Sequence, residues 1–404
     1  MKNNYLFCLF LVGFISAQIS FAQSVKTVTP ETVGLSTDTL ALASKKMQQY
    51  IDDSKQAGIS NLIYKDGKIA FRKNFGFADI EKQKPIEDNT IYRIYSMTKP
   101  ITAVALMTLF DLGKFSLDDK VSKYIPEFEG TQVYNPETKT LEPQVTELTI
   151  RHLLTHTSGI PYGWDQKAYV DSLYRATQAS GTVLTIGERV KSLAKLPLKS
   201  QPGTKWEYGL GIDVAGYLVE VLSGTPLDVY MKTKIFDPLK MKDTGFYVPE
   251  EKHDRFCGVY AISNDSLIQP ERMKEGFKKP VTLFSGGGGL VSTMDDYLNF
   301  CKMLLNGGAL NGVQIIKEPT AQLIVTNQLP EGMKYEGTKG YGLAGSVNLE
   351  TGVYSWSGAA STQFSIDAKN KMIILSFAQL MPNNFAYAND FKKIVNRALI
   401  EKNK

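Results

Sequence analysis

A stretch that is apolar along most of its length, yet opens on a hydroxyl and an amine, constrains this chain most strongly. It runs from Ile91 through Ser96-Met97-Thr98-Lys99-Pro100 to Phe110, and from Ile101 onward it is apolar enough to be buried. On a helix, residues at i and i+3 share a face, which puts Lys99 beside Ser96. Pro100 sharpens the register, because proline is accommodated in a first turn, where its missing N–H would be unpaired anyway. A helix beginning at or just after Ser96 is therefore predicted, with the serine near free backbone donors and the positive end of the dipole. Gly113 should end it. An amine held beside a hydroxyl can take its proton while the oxygen attacks a carbonyl. Alone, Ser-x-x-Lys is weak evidence and reads first as a serine cap and a surface lysine; what accompanies the motif decides.

Residues 1–22 read as an export leader: Lys2 supplies the positive start, Tyr5 through Ile19 are mostly apolar, and Ser20 and Ala22 are small residues suited to cleavage before Gln23. Cys8 lies inside that apolar segment, away from the cleavage point. No later stretch is long enough to span a bilayer, so a periplasmic or secreted chain without stable membrane insertion is expected. The remaining length suffices for a large core and a second lobe. Its charges, 46 Lys plus Arg against 41 Asp plus Glu, are scattered rather than gathered into a stripe, which argues against nucleic acid as a partner. Cys257 and Cys301 could pair in an oxidising compartment, although their spacing does not decide it. His152, His156 and His253 form no recognised metal pattern with them, and neither a metal nor a cofactor is expected.

Taken in order, Thr37 to Ser54 has the apolar stripe of a helix capped by Ser36, through Leu40, Ala43, Met47, Tyr50 and Ile51. Ile59 to Tyr64, Asp66-Gly67 and Ile69 to Phe75 read as a hairpin, so an antiparallel sheet is favoured over a βαβ fold. Gly130 to Thr146 reads as a polar surface excursion. Leu148 to Thr155 suggests a short helix closed by His156-Thr157-Ser158-Gly159. His152 and His156 have the spacing of two zinc ligands on a helix, but no Glu follows His152, and the pair is expected to satisfy backbone groups where helix meets loop. Further helices are expected over Thr182 to Leu196, from a stripe through Val214, Leu218 and Val221, from Pro226 to Ile235, over Met294 to Asn306 and over Asn389 to Ile400. Tyr208 falls where a loop hands over to one of them, as an aromatic plug or as a site group. Glu250 to Pro280 looks irregular. Gly286 to Gly289 lack the Lys-Ser or Lys-Thr ending of a phosphate loop and suggest close backbone packing beside a cleft. Strands are expected over Gly340 to Val347, Gly352 to Ser357, Thr362 to Ala368 and Lys371 to Gln379, returning the chain to the sheet begun near Ile59.

Together these residues resemble the serine beta-lactamase-like family, which includes class C beta-lactamases, penicillin-binding peptidases and family VIII carboxylesterases. The likeness extends over essentially all of the chain after the leader. Ser96-Met97-Thr98-Lys99 is similar to the family's first motif, Leu153 to Gly159 and Gly286 to Thr293 to two of its landmarks, Tyr208 to the tyrosine of the second motif, and Trp356-Ser357-Gly358 to the third. The resemblance implies an α+β fold of two lobes, residues 23–118 with 285–404 forming a sheet flanked by helices and residues 119–284 a mostly helical lobe, with the site between them. It implies that Ser96 is acylated, that Lys99 and Tyr208 share the proton transfers, and that the N–H groups of Ser96 and Ala359 form the oxyanion hole. A neutral lysine or a tyrosinate is a competent base only if nearby cationic charge or, for the lysine, desolvation lowers its pKa.

Two departures bear on the substrate, expected to be a small ester or amide. Leu210 stands where lactamases and peptidases usually have asparagine, and Trp356 where they have lysine or histidine. Both remove polar contacts near an amide and a carboxylate, and Trp-x-Gly is similar to the family VIII esterases. Trp356, Ser357, Gly358 and Leu210 are thus the candidate substrate contacts, and Tyr162 and Trp164 either wall the pocket or belong to the core. The reading favours an exported serine esterase working through an acyl-enzyme; a beta-lactamase or D-amino-acid peptidase is the alternative. Oligomeric state is left open.

Overall fold

The computed structural model describes residues 27–179 and 185–400. The leader and the start of the helix expected at Thr182 lie outside them. Eight strands form one antiparallel sheet: β1 Gly58–Lys65, β2 Lys68–Asp79, β3 Lys84–Pro85, β4 Lys339–Tyr341, β5 Ser346–Asn348, β6 Tyr354–Gly358, β7 Thr362–Asp367 and β8 Met372–Phe377. Their order is β4-β5-β6-β7-β8-β1-β2-β3, so the two ends of the chain meet where β1 pairs with β8, Ile63 opposite Ile374. Five long helices matter for the site and its frame: α1 Thr37–Asp52, α2 Thr98–Asp111, α3 Gly211–Ser223, α4 Met294–Leu305 and α5 Ala386–Ala398.

Side chains alternate across a strand, and the two faces of β8 show it. Met372 and Ile374 join Leu40, Met47, Phe391 and Val395 beneath α1 and α5. Ile373, Leu375 and Phe377 join the larger core, which holds α2. With both faces covered, the central strands are apolar on both sides. α2 buries Thr98 through Met107 without a gap, so Lys99 is carried into the interior by a helix that is buried almost all round.

The hairpin, α1 and the two terminal strands lie where the sequence puts them. The expected strand over 340–347 is two strands, because Gly342 to Gly345 turn the chain, with Ala344 in the left-handed region at φ 61°. A helix over Tyr169–Ala179, which buries Val170 and Tyr174, and another over Glu318–Val325 escape the sequence reading. So does the small hairpin Val133–Asn135 with Thr140–Glu142, inside the stretch read as a polar surface excursion. The helix expected from Thr182 is Ile186–Leu193, started by a reciprocal cap between Thr185 and Glu188. Cys257 and Cys301 are separate buried thiols rather than a disulfide, and burial pushes Cys257 up to about 12. Among the described residues no helix is long and apolar enough to cross a membrane, and no three His, Cys, Asp or Glu side chains could hold a metal ion together.

Candidate active site

Ser96 is the middle residue of a 3-10 turn, Tyr95–Met97, that feeds directly into α2. The turn's hydrogen bond runs from Met97 N–H to Ile94 O at 3.0 Å, so the Ser96 N–H precedes it and belongs to the unpaired donors of a helix start. Tyr95 holds a φ of 41°, a strained value for a bulky residue, and this bend turns the serine out of line with the preceding strand. Surrounding contacts hold the bend: the Tyr297 hydroxyl donates to Met97 O at 3.0 Å, and Leu290 N–H donates to Thr98 Oγ1 at 3.1 Å. β6 ends against the same turn. A Cβ on Gly358 would lie 2.3 Å from Ile94 O, so only glycine lets the strand come this close and deliver Ala359 beyond it.

Lys99 Nζ reaches three oxygens: Ser96 Oγ at 3.2 Å, the Tyr162 hydroxyl at 2.9 Å and Gly287 O at 2.6 Å. An ammonium has three donors, and here each has an acceptor. Burial disfavours the Lys99 charge, but electrostatic interaction and hydrogen bonding with Tyr162 and Tyr208 outweigh it and hold the lysine above its usual range. Burial in turn pushes Tyr162 up against the pull of Lys99. The sequence left open a lysine made neutral by burial; the surroundings instead keep it charged, because oxygen acceptors close around it. The Tyr208 hydroxyl lies 2.7 Å from Ser96 Oγ, with Lys99 Nζ 4.6 Å from the centre of its ring. A proton can pass between serine and tyrosine beside a fixed positive charge.

The glycine run is packed as the sequence suggested. A Cβ on Gly286 would meet Ile212 O at 2.8 Å, and one on Gly287 would meet the Asp213 carboxylate at 2.6 Å. Asp213, on the first turn of α3, takes the Ser285 hydroxyl at 2.7 Å and fixes the loop whose Gly287 carbonyl holds Lys99. The sequence places Tyr162 at the pocket wall or in the core, not on Lys99, and it does not single out Asp213. The readable signal for Tyr162 was its place just after the His156 to Gly159 turn; Asp213 offered only an acid in an otherwise apolar helix just after Tyr208.

Aromatic rings surround Tyr208. Trp164, 65% exposed, stacks on Tyr162 with centroids 4.6 Å apart, and Trp356 lies 5.6 Å from Tyr208. Tyr335 and Tyr341 extend this wall past Trp356, at 5.9 and 5.2 Å. Leu210 differs from its expected place at the substrate surface: at 2% exposure it lies in the core as the cap residue of α3, and it offers a ligand almost no surface. The histidines do serve backbone groups. His152 Nδ1 accepts from Thr149 N–H at 3.2 Å and His156 Nδ1 from Gly209 N–H at 3.3 Å.

This fold and this juxtaposition of serine, lysine and tyrosine define a class. Residues 43–398 match the Beta-lactamase family, and the chain belongs to it. Protein Rv1367c of Mycobacterium tuberculosis is 30% identical over 361 residues, covering 83% of this chain and 89% of its own. Esterase EstB of Burkholderia gladioli is 32% identical over 289 residues, 65% of this chain and 70% of its own. Among solved structures, EstCE1, described as a hydrolase with promiscuous acyltransferase activity, matches with a TM-score of 0.75 at 25% identity, over 89% of this chain and 98% of its own. The chain is an enzyme of the serine-hydrolase superfamily, whose members act as esterases, acyltransferases, beta-lactamases, carboxypeptidases or amidases.

Proposed function

We propose that the protein hydrolyses carboxylic esters through an acyl-enzyme on Ser96. The observation that carries this reading is the pair of contacts on Ser96 Oγ, with Tyr208 at 2.7 Å and a fully engaged Lys99 at 3.2 Å. Ser96 Oγ attacks the ester carbonyl carbon while Tyr208, acting as a phenolate beside the Lys99 ammonium, takes its proton and becomes the neutral phenol. The carbonyl oxygen becomes an oxyanion, held by the N–H groups of Ser96 and Ala359, and the Lys99 ammonium balances the charge developing nearby. The tetrahedral adduct collapses by breaking the bond to the alcohol oxygen, which leaves with the proton from Tyr208. Water then attacks the acyl carbon, gives a proton to Tyr208 and releases the acid as Ser96 recovers its own. A positioned base of this kind is worth roughly 10² to 10⁴ in rate.

Ester is favoured over amide because Leu210 and Trp356 replace the polar and cationic groups used around an amide and a carboxylate, and because an alkoxide leaves more readily than an amine. Trp356, Ser357 and Gly358 line the substrate side. The leader-like residues 1–22 support action outside the cytoplasm. A paired assay tests the substrate class: p-nitrophenyl butyrate beside nitrocefin, with Ser96→Ala as control. Efficient Ser96-dependent ester cleavage with little lactam turnover is expected. Fast nitrocefin turnover with poor ester cleavage would instead select the beta-lactamase or peptidase reading.

A further inference from the structure

His156 stands at φ 55°, in the left-handed region, where the short helix Ile150–Leu154 gives way to a turn. Two N–H groups from a single distant segment converge on it. Glu207 N–H donates to its carbonyl oxygen at 2.8 Å, and Gly209 N–H to its Nδ1 at 3.3 Å. The residue between those two donors is Tyr208. The imidazole also packs against the phenol, with centroids 4.8 Å apart at 56°. On its other side the segment is pressed against Ile160, whose carbonyl oxygen would lie 1.7 Å from a Cβ at Gly209.

The hydrogen bond assigns the tautomer. A ring nitrogen that accepts carries no proton, so the neutral ring bears its hydrogen on Nε2. That Nε2 is buried without a hydrogen-bond partner among the described residues, with the rings of Tyr208, Trp206 and Tyr341 around the imidazole. An imidazolium could not accept from Gly209. Burial first, and the Lys99 charge second, hold His156 well below the usual histidine range, which keeps the acceptor available.

We propose that His156 is a positioning residue for Tyr208: it ties down the peptide groups on both sides of the tyrosine and backs its ring, so that the phenol oxygen stays on Ser96. This rests on the assignment of Tyr208 as the group that takes the serine proton. Catalysis is sensitive to such placement, since a shift of about 1 Å can cost 10²-fold in rate.

Three variants test it, each measured for kcat, KM and thermal midpoint with p-nitrophenyl butyrate. His156→Phe keeps a ring but removes the acceptor; His156→Asn restores an acceptor oxygen near the position of Nδ1 on a residue that tolerates the left-handed backbone. Tyr208→Phe reports on the underlying assignment. The expected result is a fall of about 10²-fold in kcat for His156→Phe with KM little changed, and recovery of most of that loss in His156→Asn. If His156→Phe does not fold, His156→Ser, too short to reach Gly209, takes its place with the same expectation. A His156→Phe enzyme with the wild-type kcat, alongside a crippled Tyr208→Phe, overturns the positioning role alone. So does a His156→Asn enzyme as slow as His156→Phe at an equal thermal midpoint. Full activity in Tyr208→Phe overturns the assignment beneath it.

Discussion

At Lys99, burial and hydrogen bonding act in opposite directions, and the geometry shows which is larger. Three oxygens within 3.2 Å of Nζ stabilise the ammonium in a place where water cannot. A group in that state is a poor base but a strong fixed charge, which is why the proton from Ser96 is assigned to Tyr208. Tyr162 is the testable member of this shell. Tyr162→Phe removes one acceptor from a buried cation, and a hydrogen bond to a charged group is worth about 1.5–3 kcal/mol. We expect kcat to fall about 10- to 100-fold with the fold intact by circular dichroism; unchanged kcat would show that Lys99 does not depend on this contact. Ser96 and Lys99 were legible because a three-residue spacing on an apolar helix is a local fact. Tyr162 was not, since its bond to Lys99 joins positions 63 residues apart and only tertiary packing creates it.

Among the elements, the glycine run shows how local composition becomes geometry. Four adjacent glycines allow the backbone to lie against α2 and α3 at once, and the carbonyl of Gly287 then faces Lys99. The positions are not equivalent. A methyl at Gly287 would stand 2.6 Å from the pinned Asp213 carboxylate and 3.2 Å from the Tyr162 hydroxyl, whereas one at Gly288 finds its nearest neighbour at 3.7 Å. Gly287→Ala is therefore expected to cost about 1–3 kcal/mol of stability by overpacking and to lower kcat, while Gly288→Ala stays close to wild type. Chemical denaturation and steady-state kinetics on the pair check this; equal behaviour of the two variants would contradict it. α1, the hairpin and α4 were legible because each carries a regular apolar stripe or a strong turn signal. The helix Tyr169–Ala179 was missed although Val170, Leu173 and Tyr174 recur at helical spacing, because that stripe is short and buries only Val170, Asp171 and Tyr174.

For the whole molecule, one sheet joins segments from both ends of the chain, and the turn carrying Ser96 lies between that sheet and the helices. β6 brings Gly358 and Ala359 to the turn that carries Ser96, while the loop entering α3 brings Tyr208 and the first turn of α3 brings Asp213. The sequence disclosed the antiparallel sheet and the return of the terminal strands, because alternation and turn residues are local. Of the rings around Tyr208 it pointed to Tyr162, Trp164 and Trp356 but not to Trp206 and Tyr335, which join them from separate segments only through tertiary packing. The most direct test of the account is acid quenching of the enzyme during turnover of p-nitrophenyl butyrate, followed by intact mass and peptide mapping. The account predicts one butyryl group, located on Ser96 and absent from Ser96→Ala. A butyryl group on another residue, or undiminished turnover by Ser96→Ala, would contradict it.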